Sequence, residues 1–236
     1  MDYGNLRLIG TSHIAKQSLN DVKKAFEEFK PEIVAIELDK RRLVALMNKK
    51  KVRGPGIKDI RRVGIKGFIF SIIGAWVENK LGKLVGVAPG SEMMTAVKIA
   101  KKKKIPLALV DQDIEITLKR FSNEITWKEK WNFVADIFKA AVLRKREKLE
   151  FDLTKVPTKE VIDNLTSKVK GRYPSVYKVL IKERNEVMAK NLAFLMRKNP
   201  DKNILGIIGA GHEEEMIGLI AEKDSQNIYT VTFESE

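Results

Sequence analysis

The chain has no cysteine among its 236 residues, which excludes a disulfide framework and any thiolate zinc site. Histidine is almost as scarce, with only His13 and His212, so a metal centre here must be built from imidazole and oxygen ligands. Aromatic residues make up 7% of the chain and few lie among its basic runs, which leaves a stacking platform for single-stranded nucleic acid unsupported. No apolar run reaches the roughly 20 residues that span a bilayer. The most apolar stretch, Val63 to Val77, is broken by Lys66 and closed by Glu78, Asn79 and Lys80. Residues 1–12 lack a basic leader and a cleavage site, so no secretory signal is expected and a cytoplasmic protein is.

Acidic residues are outnumbered, 31 against 45 basic, for a formal charge of +14. The basic residues concentrate at Lys49–Arg53, Arg61–Arg62, Lys101–Lys104 and Arg144–Lys148. Solvation, an anionic membrane surface and nucleic acid compete to explain them; no recognised nucleic-acid motif favours the last. At 44% hydrophobic and 32% charged, the composition is that of a globular chain able to bury a sizeable core.

Periodicity predicts an α/β fold: a central, mostly parallel sheet flanked by helices, with an inserted helical subdomain. Short apolar strands are expected at 5–9, 32–37, 106–110, 203–208 and 228–233. A helix capped by Ser18 or Asn20 follows the first and stops at Pro31; another, capped by Ser91, precedes the third. The core would comprise residues 1–50, 89–120 and 175–236 of a single 1–236 domain, with an amphipathic helical insertion at 55–88 and a helical subdomain at 121–174. In the insertion, Ile65, Phe68, Ile69, Ile72, Ile73, Trp76 and Val77 recur at helical steps, which leads to an expected homodimer or membrane contact. A long helix opens at Pro174-Ser175 and runs to about Lys198, with Val176, Leu180 and Val187 as its apolar stripe and Glu183 and Arg184 as a pair on that face.

In parallel sheets, ligands bind beyond the carboxyl ends of the strands, and here those ends carry functional side chains. They are Gly10-Thr-Ser-His13, Glu37-Leu-Asp39 with Arg42 beyond, Asp111-Gln-Asp113 with Arg120 beyond, and Gly209-Ala-Gly-His212. A glycine after a strand permits backbone angles and close approaches that a side chain would block. A lone histidine at such a place is usually packed or solvated; both histidines of the chain in one Gly-x-x-His pattern favour a shared site. Two neutral imidazoles and a carboxylate leave open positions on a divalent ion. Asp39, Asp111 or Glu92 could fix the ring tautomers, although Glu92 at a helix start also serves the helix dipole. Met216 excludes a H-E-x-x-H zincin motif.

As a set, these segments resemble the TraB/PrgY pheromone-shutdown family, related to the TIKI metalloproteases and to the erythromycin-esterase and ChaN-like fold. The matching segments are G-T-S-H at 10–13, V-A-I-E-L-D-K-R-R at 34–42, P-G-S-E-M at 89–93, D-Q-D-I-E-I-T-L-K-R at 111–120, E-R-N-E-V-M-A at 183–189 and G-A-G-H at 209–212. Gln112 and Asn185 depart from the usual pattern. The resemblance implies a metal-dependent peptidase with manganese, cobalt or zinc. His13, His212 and Glu37 would form its centre, and Glu92, Asp113, Arg120, Glu183 and Arg184 would support it. Glu183 or Glu92 would accept the proton of a metal-bound water, and Arg42 or Arg184 would stabilise the oxyanion. The alternative is a domain that sequesters a peptide without cleaving it. Many members continue into C-terminal membrane helices, so the resemblance implies either a soluble form or part of a longer, membrane-associated protein.

Overall fold

The computed structural model describes residues 1–11, 16–48, 61, 90–142 and 158–231. His13 and nearly all of the amphipathic insertion at 55–88 lie outside the described residues. Strands β1 (Asp2–Tyr3) and β2 (Leu6–Thr11) lead to α1 (Lys16–Phe29), β3 (Ile33–Ile36) and α2 (Lys40–Met47). After α3 (Ser91–Lys103) and β4 (Leu107–Leu109) come α4 (Ile114–Glu124), α5 (Trp127–Val142) and α6 (Lys159–Arg172). A continuous helical stretch then comprises α7 (Pro174–Tyr177), a π-helical segment (Lys178–Lys182) and α8 (Glu183–Lys198), before β5 (Ile204–Gly209) and α9 (Ala210–Val231).

The sheet has the order β1-β2-β5-β3-β4. β5 lies parallel between β2 and β3, β4 extends β3 in parallel, and β1 pairs antiparallel with β2. The central strands β3 and β5 are buried on both faces, as parallel strands flanked by helices must be. Val34, Ile36, Leu205 and Ile207 pack under Val22 and Phe26 of α1 and Met93 and Ala96 of α3. The alternate positions Ile33, Ala35, Ile204 and Ile208 face Met188, Ala189 and Leu192 of α8 and Met216 and Ile220 of α9.

Several expectations are corrected. α1 begins at Lys16, so Ser18 and Asn20 lie inside the helix. α3 takes Gly90, at φ 75°, as its cap, and Ser91 is its first residue. No loop separates β5 from α9, and α9 continues to Val231 across most of the expected strand at 228–233. The π segment widens the turn, so the fully buried positions are Val179, Asn185, Met188, Ala189, Leu192 and Ala193, while Val176, Leu180 and Val187 are half-buried.

Candidate functional site

The parallel register sets the site. Thr11 pairs with Gly209, Ile36 with Ile207 and with Leu109, so all four parallel strands end at one edge. Glu37 follows β3 directly, and the pleat turns it to the face covered by α8 and α9. There its carboxylate accepts the backbone N–H of Gly209. A Cβ on Gly209 would stand 3.2 Å from Glu37 Oε2, and a Cβ on Gly10 would run into Glu213. Among the described residues the glycines with positive φ are Gly4 and Gly90. The two Gly-x-x-His glycines therefore serve close approach rather than an unusual backbone angle.

Glu37, Asp39 and Asp111 are buried, at 2%, 4% and 9% exposure, and two guanidiniums join them. Arg184, on the first turn of α8, donates to Asp111 through Nε (3.0 Å) and Nη2 (2.7 Å), and to Glu37 through Nη2. Arg42, on α2, donates to Asp39 Oδ2 at 2.9 Å, to the Glu37 carbonyl at 3.0 Å and to Asp111. Asp39 also caps α2 by accepting from the Arg41 and Arg42 amides at 2.8 and 3.0 Å. Burial works against the charge on Arg184, but the Glu37 and Asp111 carboxylates more than offset it and raise its pKa. Among the described residues, three carboxylates face two guanidiniums in this cluster.

His212, in the first turn of α9, is buried at 7% exposure. Its Nδ1 lies 2.5 Å from Asn185 Oδ1, and Asn185 Nδ2 donates to Glu215 Oε2 at 3.1 Å. A carboxylate only accepts, so Glu215 fixes which way the Asn185 amide faces. The Asn185 oxygen then requires a proton on Nδ1. The Nε2 lone pair is thereby directed towards Arg184 Nη1 (3.2 Å) and Glu37 Oε1 (3.4 Å). Tyr177 continues this chain outward, donating to Glu215 Oε1 at 2.9 Å.

The structure thus brings together Glu37, Asp39, Arg42, Asp111, Arg184 and His212. It pairs Glu183 with Arg120 instead of Arg184, at 2.7 and 3.2 Å, and Arg120 also meets Glu124 at 3.0 Å. Asp113 caps α4 through the Glu115 amide and faces Arg41 at 3.5 Å. Glu92 is buried at 1% exposure in the first turn of α3. The acceptor for the His212 ring is Asn185, not Asp39, Asp111 or Glu92. Asn185 and Glu215 were missed as site residues; their spacing from the E-R pair and from His212 was the available signal. Asn191 was missed too, and it ties α8 to the end of β4 by donating to the Val110 carbonyl at 2.9 Å.

Residues 3–231 match the model of the TraB/PrgY/gumN family. The chain belongs to that family. It is 34% identical over 229 residues to uncharacterized protein MJ1365 of Methanocaldococcus jannaschii, covering 94% of this chain and 55% of that one. It is 22% identical over 237 residues to the mouse and human TraB domain-containing proteins, covering 89% of this chain and 61% of each of them. The TraB chain described here therefore spans a little over half the length of these relatives. Among its described residues no helix is long and apolar enough to cross a membrane.

Proposed function

We infer that this TraB-family chain is a metal-dependent hydrolase of peptides whose site lies at the carboxyl edge of the sheet. The observation that carries the reading is the His212 Nε2 lone pair, fixed by Asn185 and Glu215 and converging with Glu37 Oε1 at 3.4 Å. An imidazole and a carboxylate so placed are two donors suited to manganese, cobalt or zinc. Among the described residues no group of three or more acidic or histidine side chains is arranged to hold an ion, and His13, outside them, is the proposed third ligand.

A bound divalent ion would acidify a water molecule and polarise a carbonyl. The chain's own residues do the rest. Asp39 and Asp111 hold the Arg42 guanidinium, and Glu37 and Asp111 hold Arg184. Both cations are thus held in place, and in this reading they stabilise the negative charge that develops on an attacked carbonyl oxygen. Glu183 or Glu92 is the proposed proton acceptor, Glu183 already being held by Arg120.

A second reading, sequestration of a peptide without cleavage, draws on a different observation. The Arg184 guanidinium already lies between Glu37, Asp111 and His212, so a cation of the protein's own occupies the acid cluster. Metal content and calorimetry on the wild type and on His13→Ala/His212→Ala, followed by mass spectrometry of incubated peptides, separate the two. Stoichiometric metal and cleavage, both lost in the variant, support the hydrolase. Peptide binding without products in either protein supports sequestration, and equal cleavage by both overturns the metal-centred reading.

A further inference from the structure

Helix α5 carries an apolar stripe that the site does not use. Trp127, Trp131 and Val134 recur at one-turn steps and are 75%, 69% and 55% exposed. An aliphatic side chain and two indoles on one exposed helix face are costly to leave in water. The opposite face of α5 is fastened by polar bonds. Glu129, 2% exposed, accepts from the Thr126 hydroxyl at 2.7 Å and the Ser175 amide at 2.7 Å. Asp136 accepts from Arg172 Nε at 2.6 Å and from the Tyr173 hydroxyl. The acidic residues of α5 are thus turned towards α6 and α7, and the outward face is left with cations. Lys128 and Lys139 are exposed beside the stripe, and Lys130 lies 3.8 Å over the Trp127 ring.

We propose that this face of α5 docks on an anionic lipid bilayer, the indoles entering the interface and the lysines meeting lipid phosphates. Indole rings with an apolar body and a polar N–H suit that boundary, and an amphipathic helix with a basic rim lies in its plane. Charge selects this occupant over a protein of the same kind. A second copy of the chain brings another +14, and the apolar segment at 65–81 follows Arg61-Arg62 and contains Lys66 and Lys80. Either would set cations against the cations of α5.

The test uses the full chain with two kinds of vesicle, phosphatidylcholine alone and phosphatidylcholine mixed equally with phosphatidylglycerol. Flotation and tryptophan emission report binding, and circular dichroism checks that each variant is folded. The expected result is salt-sensitive binding and a blue-shifted emission with the anionic vesicles only. Trp127→Ala/Trp131→Ala abolishes it. Lys128→Gln/Lys139→Gln weakens it by roughly tenfold or more, since each basic residue near a lipid surface contributes about a fivefold factor. Binding that survives the tryptophan substitutions puts the lipid contact elsewhere in the chain and overturns the proposal. So does a dimer by light scattering that dissociates in the tryptophan variant while neither protein floats.

Discussion

Removing the charge of Arg184 is the sharpest probe of the acid cluster. In Arg184→Met the stem is kept and the guanidinium lost, leaving the Glu37 and Asp111 side chains, 2% and 1% exposed, without their shared countercharge. Breaking a buried ion pair from one side costs about 3–5 kcal/mol. At about 2–4 °C per kcal/mol for a chain of this size, the melting temperature should fall by roughly 10 °C. Thermal and urea unfolding followed by circular dichroism at neutral pH read the change. The mechanism is then tested by adding Glu37→Gln, which keeps the shape and an acceptor for the Gly209 amide but removes a charge. The double variant should be more stable than Arg184→Met by at least about 1 kcal/mol, because it removes one of the buried negative charges that Arg184 offset. If Arg184→Met stays within about 1 kcal/mol of wild type, or the second substitution lowers stability further, the charge-compensation argument is refuted.

Asn185→Leu should leave the His212 Nδ1 proton without an acceptor, costing about 1–3 kcal/mol in urea titrations and weakening divalent-metal binding roughly 10–100-fold by calorimetry. Gly209→Ala should cost about 1–3 kcal/mol, since its Cβ would press on Glu37 Oε2 at 3.2 Å; an unchanged melting temperature would show that the carboxylate can give way. The hydrogen bonds from Arg172 and Tyr173 lower the pKa of Asp136 from 3.8 to about 2. Its contribution is therefore present in full above about pH 4 and disappears as the pH falls through about 2. The stability difference between wild type and Asp136→Asn should follow that course, and a difference that grows on acidification would contradict the sign.

The strands were legible because a parallel strand buried on both faces is a short β-branched apolar run, as in Ile33–Ile36 and Ile204–Gly209. Their order in the sheet, with β5 between β2 and β3, is carried by tertiary packing and has no local mark. Glu37, Asp111 and His212 could be placed at the site because each lies within three residues of a strand end. The partners of Arg184 and Glu183 could not. A period of 3.6 residues carried through the wider turn at Lys178–Lys182 loses phase, and neighbours on one helix then face different elements. The roles of Asn185 and Glu215 were hidden for another reason: an amide between a ring and a carboxylate is recognisable only once two helices are set side by side. The strand expected at 228–233 failed because its β-branched residues Ile228, Thr230 and Val231 fall at the end of α9, where the preceding helix overrides their propensity.

The place of β5 in the sheet gives the molecule a timetable. β2 and β3 do not pair with each other; each pairs with β5, whose first residue, Ile204, lies opposite Leu6 in the register. At about 5–20 residues per second, a ribosome that has just released β3 needs roughly 10–35 s to deliver β5. During that interval the β5-facing sides of β2 and β3 are open edges, the kind of surface that recruits foreign strands. Arg184 and His212 are delivered on either side of β5. Glu37 and Asp39 therefore wait for the Arg184 cation about twice as long as Asp111 does, and the site closes together with the centre of the sheet.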